Sequence, residues 1–97
     1  MSIEIRETDV FASWLERLRD RQARTRILVR LGRLAAGNPG DVRPVGGGVS
    51  EIRVDYGPGY RVYFARRGEL IVVLLCGGDK RTQSRDIAQA IALASKI

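Results

Sequence analysis

The stretch SEIRVDYGPGYRVYFARRGELIVVLLC, residues 50–76, decides the fold because it reads as three consecutive β-strands. Two turn sequences divide it, GPG at 57–59 and Arg67-Gly68, and glycine suits the backbone angles of such turns. The strands are therefore expected at 50–56, 60–66 and 69–76, in an antiparallel meander. The last of them is apolar on both faces, which is typical of a central or doubly covered strand.

Each hairpin can be given a register from its turn. With residues 57–59 as a three-residue loop, Tyr56 faces Tyr60, Asp55 faces Arg61 and Arg53 faces Tyr63. In the second hairpin, Arg66 is expected to face Glu69. The predicted core face then carries Ile52, Val54, Val62, Phe64, Ile71 and Val73. The predicted open face carries Glu51, Arg53, Asp55, Arg61 and Tyr63, backed by Val72, Leu74 and Cys76.

Helices are expected on both sides of this meander. Ser2 to Arg6 reads as a short strand, and Thr8 or Asp9 caps a helix that runs to about Asp20. A second helix covers residues 21–36, residues 41–48 form a loop or a short edge segment, and a last helix begins near Ser84. The order β-α-α-β-β-β-α predicts an α+β, two-layer fold in one domain, residues 1–97. An N-terminal helical hairpin packs on one face of an antiparallel sheet, and the terminal helix lies near the sheet's end.

The charge of the chain indicates an anionic partner. Lys plus Arg number 17 against 11 acids, giving a net charge of +6 and a sequence pI of about 10.4. Such a surface attracts nucleic acid, an acidic protein or an anionic membrane surface. Only Lys80 and Lys96 are lysines. Arginine suits forked contacts with phosphate, but a GC-rich genome would explain the same preference.

The composition also excludes several classes of site. The chain has no histidine and one cysteine, Cys76, so no internal disulfide and no histidine-based catalytic pair can form. A zinc site within one chain is not expected on the same grounds, and neither is a cofactor. The longest apolar run, residues 70–76, is far shorter than the ~20 residues of a membrane span. With no targeting pattern at the N-terminus, a cytoplasmic protein is expected.

A basic site is expected on the open face of the sheet. Lys80, Arg81 and Gln83 directly follow the last strand and would reach the rim of the face that carries Arg61 and Tyr63. The alternative is a solvated face, in which Asp55 pairs with Arg61. Exposed pairs of this kind contribute only ~0–1 kcal/mol, so stability hardly requires them. The site hypothesis requires that the Arg61 guanidinium points outward, near the cations that follow the last strand.

The segment SEIRVDYGPGYRVYFARRGELIVVLLCGGDKRTQSRDI resembles the addiction-module killer proteins of the RelE/ParE toxin superfamily, in the HigB-like branch. The resemblance is carried by GPGYRVYF followed by LLCGGDK, after a helical hairpin. It implies the toxin of a type II toxin–antitoxin module, neutralised by a helix-turn-helix, HigA-like antitoxin. Many relatives are ribosome-dependent endoribonucleases that cut mRNA and inhibit translation, whereas others poison DNA gyrase. Both activities remain open, as does a nucleic-acid-binding module without toxicity.

The resemblance also implies roles for individual residues. Arg61 would hold the scissile phosphate, and Lys80 and Tyr63 would complete the catalytic group, with Lys80 as a candidate base. Tyr63 would stack on a base or assist proton transfer. The residues expected to bind RNA are Arg53, Arg81, Gln83 and Arg43. The tyrosine or histidine that several relatives carry near the last helix has no counterpart here. RNA supplies its own nucleophile, the 2′-OH, so the protein needs to orient the nucleotide and stabilise the transition state.

Overall fold

A computed structural model describes residues 3–97, which form an α+β fold with a five-stranded sheet and three α-helices. The elements are β1 (Glu4–Glu7), α1 (Asp9–Arg17), α2 (Arg21–Ala35), β2 (Val42–Gly46), β3 (Val49–Val54), β4 (Tyr60–Arg67), β5 (Ile71–Asp79) and α3 (Gln83–Ala94). A short 3₁₀ turn, Lys80–Thr82, joins β5 to α3. The predicted fold class is confirmed.

The sheet has the strand order β1-β5-β4-β3-β2, and β5 is therefore an inner strand. Its strands pair antiparallel except for β1, which runs parallel to β5, so the sheet is mixed rather than wholly antiparallel. Residues 41–48 contain the edge strand β2, paired with β3. The first strand was expected at Ser2–Arg6; it spans Glu4–Glu7, and Ser2 lies outside the described residues.

The helical hairpin α1–α2 packs on one face of the sheet, as predicted. Apolar side chains at helical spacing meet apolar side chains of β3, β4 and β5 in one buried cluster. Its members are Phe11, Ile27, Leu31, Leu34, Ile52, Val54, Val62, Phe64, Val72 and Leu74. Thr8 caps α1, since its Oγ1 accepts from the Phe11 amide at 3.1 Å. Asp20 caps α2 through the Gln22 and Ala23 amides, and α1 ends at Arg17 rather than at Asp20.

Helix α3 packs on the second face of the sheet. A separate buried cluster joins it to the strands and contains Val49, Tyr63, Ala65, Leu75, Cys76 and Ala90. The face that the sequence analysis expected to be open is thus partly covered. Within residues 3–97, no helix is long and apolar enough to cross a lipid bilayer.

The register of the first hairpin is displaced by two residues from the prediction. Arg53 faces Arg61, Val54 faces Tyr60 and Glu51 faces Tyr63, because the connection is residues 55–59 rather than 57–59. Gly57 and Gly59 have φ of 56° and 82°, which permit the wider turn. A shift of two residues leaves every side chain on its predicted face.

The predicted register of the second hairpin is wrong, and here the error exchanges the faces. Phe64 faces Leu74 and Ala65 faces Val73, an odd displacement, so Val72 and Leu74 enter the α1–α2 core in place of Ile71 and Val73. A β-bulge then leaves Leu75 without a register partner and places Cys76 opposite Tyr63. The bulge restores the predicted face for Cys76.

Candidate functional site

A cluster of polar side chains surrounds Glu51 on the second face of the sheet. Glu51 is 1% exposed, and its Oε2 accepts a hydrogen bond from Gln83 Nε2 at 2.9 Å. Arg61 Nε lies 3.9 Å from Glu51 Oε1, an ion pair too long to be a hydrogen bond. Tyr63 and Arg43 occupy the register positions on either side of Glu51. The cluster therefore joins β2, β3, β4 and the start of α3.

Arg61 is buried, which contradicts the expected outward orientation. It is 6% exposed and its ion-pair partner is Glu51, not Asp55, because the start of α3 covers this part of the sheet. A buried guanidinium needs a carboxylate to offset the cost of leaving water. Arg61 Nε is buried and has no hydrogen-bond partner within residues 3–97. The Arg61 side chain as a whole is 7% exposed, so a small part of it keeps contact with solvent.

Arg53 lies directly opposite Arg61 on the same face. Its side chain is half-buried and makes no hydrogen bond or ion pair within residues 3–97. Like charges directly opposite each other in adjacent strands are destabilising. Two opposed arginines, of which Arg61 alone pairs with Glu51 within residues 3–97, therefore leave positive charge that an anion between them would neutralise.

Tyr63 is fully buried, so in this conformation it cannot stack on a base. Its exposure is 0%, and its hydroxyl has no hydrogen-bond partner within the described part of the chain. Burial, and then the negative charge of Glu51, raise the pKa of the Tyr63 hydroxyl well above its usual range. The phenol stays protonated at neutral pH, and its predicted stacking role is not supported by its position.

The cations that follow β5 lie on the exposed 3₁₀ turn. Gly78 faces Arg61 across the strands, so the turn begins two residues beyond that position. Lys80 is exposed, and Arg81 Nη2 pairs with Asp79 Oδ2 at 3.1 Å. Arg81 holds the pKa of the Asp79 carboxyl below its usual range. Within residues 3–97, no hydrogen bond or ion pair joins Lys80 or Arg81 to Arg61.

The structure thus separates the seven predicted site residues into groups. Arg61, Tyr63 and Gln83 are brought together around Glu51, with Arg53 and exposed Arg43 at adjoining register positions. Lys80 and Arg81 form a neighbouring exposed basic turn. Glu51 was placed on the correct face by the sequence analysis but was given no role. Its position as an acid among arginines on one face was the available signal.

Asp86 is a second buried acid that the sequence analysis missed. It is 4% exposed, accepts a hydrogen bond from the Thr82 hydroxyl, and has Arg85 Nε 3.8 Å from its Oδ1. A side chain at Gly78 would collide with this carboxylate. The Cys76 thiol donates to the Asp86 carbonyl at 3.5 Å, and burial raises the pKa of the thiol to about 12, so it is a poor nucleophile.

The described residues offer no set of side chains that would bind a metal ion. Within residues 3–97, no group of three or more His, Cys, Asp or Glu side chains could hold a metal ion. The site chemistry available there is therefore that of arginine, lysine, amide and carboxylate groups.

Comparison with known proteins places this chain in a family. The family model described as "Phage derived protein Gp49-like (DUF891)" matches residues 13–97, which include all of the site residues above. An uncharacterized protein of Haemophilus influenzae is 46% identical over 97 residues, covering 100% of this chain and 98% of the relative. This chain belongs to the Gp49-like family of phage-derived proteins.

Proposed function

We propose that this protein is the toxin of a type II toxin–antitoxin module and acts in the cytoplasm. The Gp49-like family is a RelE/toxin-like family, which supports the proposal. The net charge of +6 and the exposed basic turn after β5 suit an RNA target. Its partner is a helix-turn-helix, HigA-like antitoxin that neutralises it.

The proposed activity is ribosome-dependent cleavage of mRNA. The observation that carries it is the placement of Arg53 directly opposite Arg61 on one sheet face. A phosphodiester between them would accept hydrogen bonds from the Arg53 side chain and from the terminal nitrogens of Arg61. These contacts would stabilise the charge that develops as the 2′-OH attacks phosphorus and the 5′ oxygen leaves.

Proton transfer is the part of the reaction that this chain supplies least well. Tyr63 is buried and protonated, and the chain has no histidine. Lys80, on the exposed turn, is the remaining candidate for moving a proton at the rim. A site with strong phosphate contacts and weak acid–base groups would depend on the ribosome to hold the RNA in line, and this accounts for the proposed dependence.

The alternative activity, a DNA gyrase poison, would rest on the arginines of α2. Arg30 donates to the backbone carbonyls of Arg53, Pro39 and Asp41, at 2.6, 3.0 and 3.3 Å. Arg26 lies 4.6 Å from the centre of the Tyr56 ring. These side chains stabilise contacts within the protein, so α2 offers less free positive charge than the sequence suggests.

The test is to induce the protein in cells and sequence the 5′ ends of cellular RNA. Cuts aligned with codons in translated messages are expected. Arg53→Gln and Lys80→Gln should lose both cleavage and growth inhibition. Arg66→Gln is the matched control, because Arg66 is an exposed arginine of β4 that makes no hydrogen bond or ion pair within residues 3–97. Growth arrest with intact messages would refute the ribonuclease, and supercoiling defects would then favour gyrase.

A further inference from the structure

A groove outside the Glu51 cluster lies at the free edge of β5. Strand β1 ends opposite Leu74, and the Thr8 hydroxyl bonds the Leu75 carbonyl. Beyond that point, β5 has β4 on one side and no strand of residues 3–97 on the other. Helix α1 lies on one face of this edge and α3 on the other. The groove between them has a volume of about 510 Å³, within the range of small-ligand sites, and is lined by Val10, Trp14, Arg17, Gly77, Arg85, Asp86 and Gln89. Asp86 is 4% exposed there, and Arg85 Nε lies 3.8 Å from its Oδ1.

Trp14 forms the aromatic wall of this groove. Its ring lies so close to Gly77 that a β-carbon on residue 77 would overlap it, and only glycine leaves the indole room at the strand edge. The indole is also 5.8 Å from the Phe11 ring and 6.4 Å from the Tyr60 ring. Within residues 3–97 the indole N–H makes no hydrogen bond, and Trp14 as a whole is partly buried.

Two arginines flank the tryptophan. Arg17 ends α1 and is exposed, with no hydrogen bond or ion pair within the described residues. The Arg85 side chain is 79% exposed, and its only ion pair there is the 3.8 Å contact with Asp86. Arg85 also lines the basic surface formed by residues 80–85, so the groove and the turn that carries Lys80 share a wall.

We infer that this groove binds one nucleotide of single-stranded RNA, next to the nucleotide held in the proposed catalytic site. The base lies against the indole of Trp14, and Arg17 and Arg85 contact the flanking phosphates. An aromatic side chain between cations is the arrangement that binds single strands without sequence preference. The inference rests on the proposed function only in taking RNA as the ligand.

Trp14 itself supplies the measurement, since it is the only tryptophan of the chain. A short unstructured RNA with 2′-O-methyl groups, which cannot be cleaved, is titrated into the purified protein over a series of salt concentrations. Saturable quenching of tryptophan fluorescence is expected. The slope of the logarithm of the binding constant against the logarithm of the salt concentration measures the number of phosphate contacts. Each contact with a single strand contributes ~0.7 to this slope, so Arg17→Gln/Arg85→Gln, which removes two contacts, should reduce its magnitude by about 1.4. Arg66→Gln removes one charge outside the groove, and its slope should differ from that of the unmodified protein by no more than the ~0.7 of a single contact.

The outcomes of this titration test the inference, and those that combine it with RNA cleavage in cells separate it from the proposed function. RNA that binds by anisotropy without quenching Trp14, or with an unchanged slope in the double variant, overturns the inference. So does an absence of RNA binding, or quenching by an acidic peptide but not by RNA. If RNA quenches Trp14 but the protein cuts no message in cells, the proposed ribonuclease activity is overturned and the inference of RNA binding in the groove stands. Codon-aligned cleavage without quenching overturns the groove alone.

Discussion

Replacing Glu51 with leucine removes the carboxylate that faces the buried Arg61. Glu51 is 1% exposed and the Arg61 side chain is 7% exposed, so the remaining cation would be left without a partner inside the protein. Breaking a buried ion pair from one side typically costs ~3–5 kcal/mol. A domain of this size has a free energy of unfolding of ~5–15 kcal/mol, so Glu51→Leu should remove a large part of it.

The double variant Glu51→Leu/Arg61→Met turns this into a quantitative test. Both charges are removed at similar side-chain volume, and such replacements are often neutral or stabilising by ~1–4 kcal/mol. The double variant should therefore be far more stable than either single variant. Free energies of unfolding come from urea denaturation of the four proteins, and the cycle yields the coupling energy.

A matched exposed pair provides the control. Arg81→Met breaks the ion pair with Asp79. Because the Arg81 side chain is 81% exposed, this variant should leave the urea midpoint unchanged. Single variants at 51 and 61 that cost less than about 1 kcal/mol, and that add without coupling, would show that this pair behaves as an exposed one. The burial of Arg61, and the recessed site built on it, would then be wrong.

Three further predictions concern packing, capping and titration. Gly77→Ala should lower the free energy of unfolding by ~1–3 kcal/mol, because the new methyl group collides with Trp14. Gly32→Ala, in α2, should raise it by ~0.5–1 kcal/mol, because nothing lies within 4 Å of the added β-carbon. Equal melting temperatures of the two variants would contradict this. Thr8→Ala should cost ~1–2 kcal/mol in thermal unfolding by losing the α1 cap and the bond to β5, and Thr8→Ser should recover most of it. Burial raises the pKa of the Cys76 thiol from its ordinary value of 9.0 to about 12. The contribution of this thiol to stability is therefore full below pH 9 and falls by up to ~1.4 kcal/mol per pH unit above it. Urea titrations of Cys76→Ala should lack this share of the decline, and an unchanged slope would argue against it.

The sequence predicted the elements because their signals are local. The turn at 57–59, the helical spacing of α1 and α2, and the cap at Thr8 each involve residues close in the chain. In the first hairpin, each side chain lies on the face predicted for it although the register differs by two residues, because side chains along a strand alternate with a period of two. The candidate residues on β3 and β4 were therefore on the correct face.

What could not be predicted depends on contacts distant in sequence. Residues 70–76 are all apolar, so either set of alternating side chains could face the core, and the pattern could not determine the register of β5. The sequence also contains no feature that marks the bulge at Leu75. Nor could composition show that α3 would cover the second face, because its apolar side chains suit several positions around the sheet. That covering is what buried Arg61 and Tyr63 and gave Glu51 its place.

The parallel pairing of β1 with β5 has a consequence during synthesis. Residues 4–7 pair with residues 71–74, so the first strand of the sheet finds its partner only when the last strand, β5, has been made. Until then β1 has no strand to pair with, because β5 lies between β1 and the rest of the sheet. Pairings so distant in sequence form late, since the intervening chain has to be closed into a loop first. A nascent chain without β5 also lacks the turn that carries Lys80. Under the proposed function, the chain would in this way remain harmless to the ribosome that is making it.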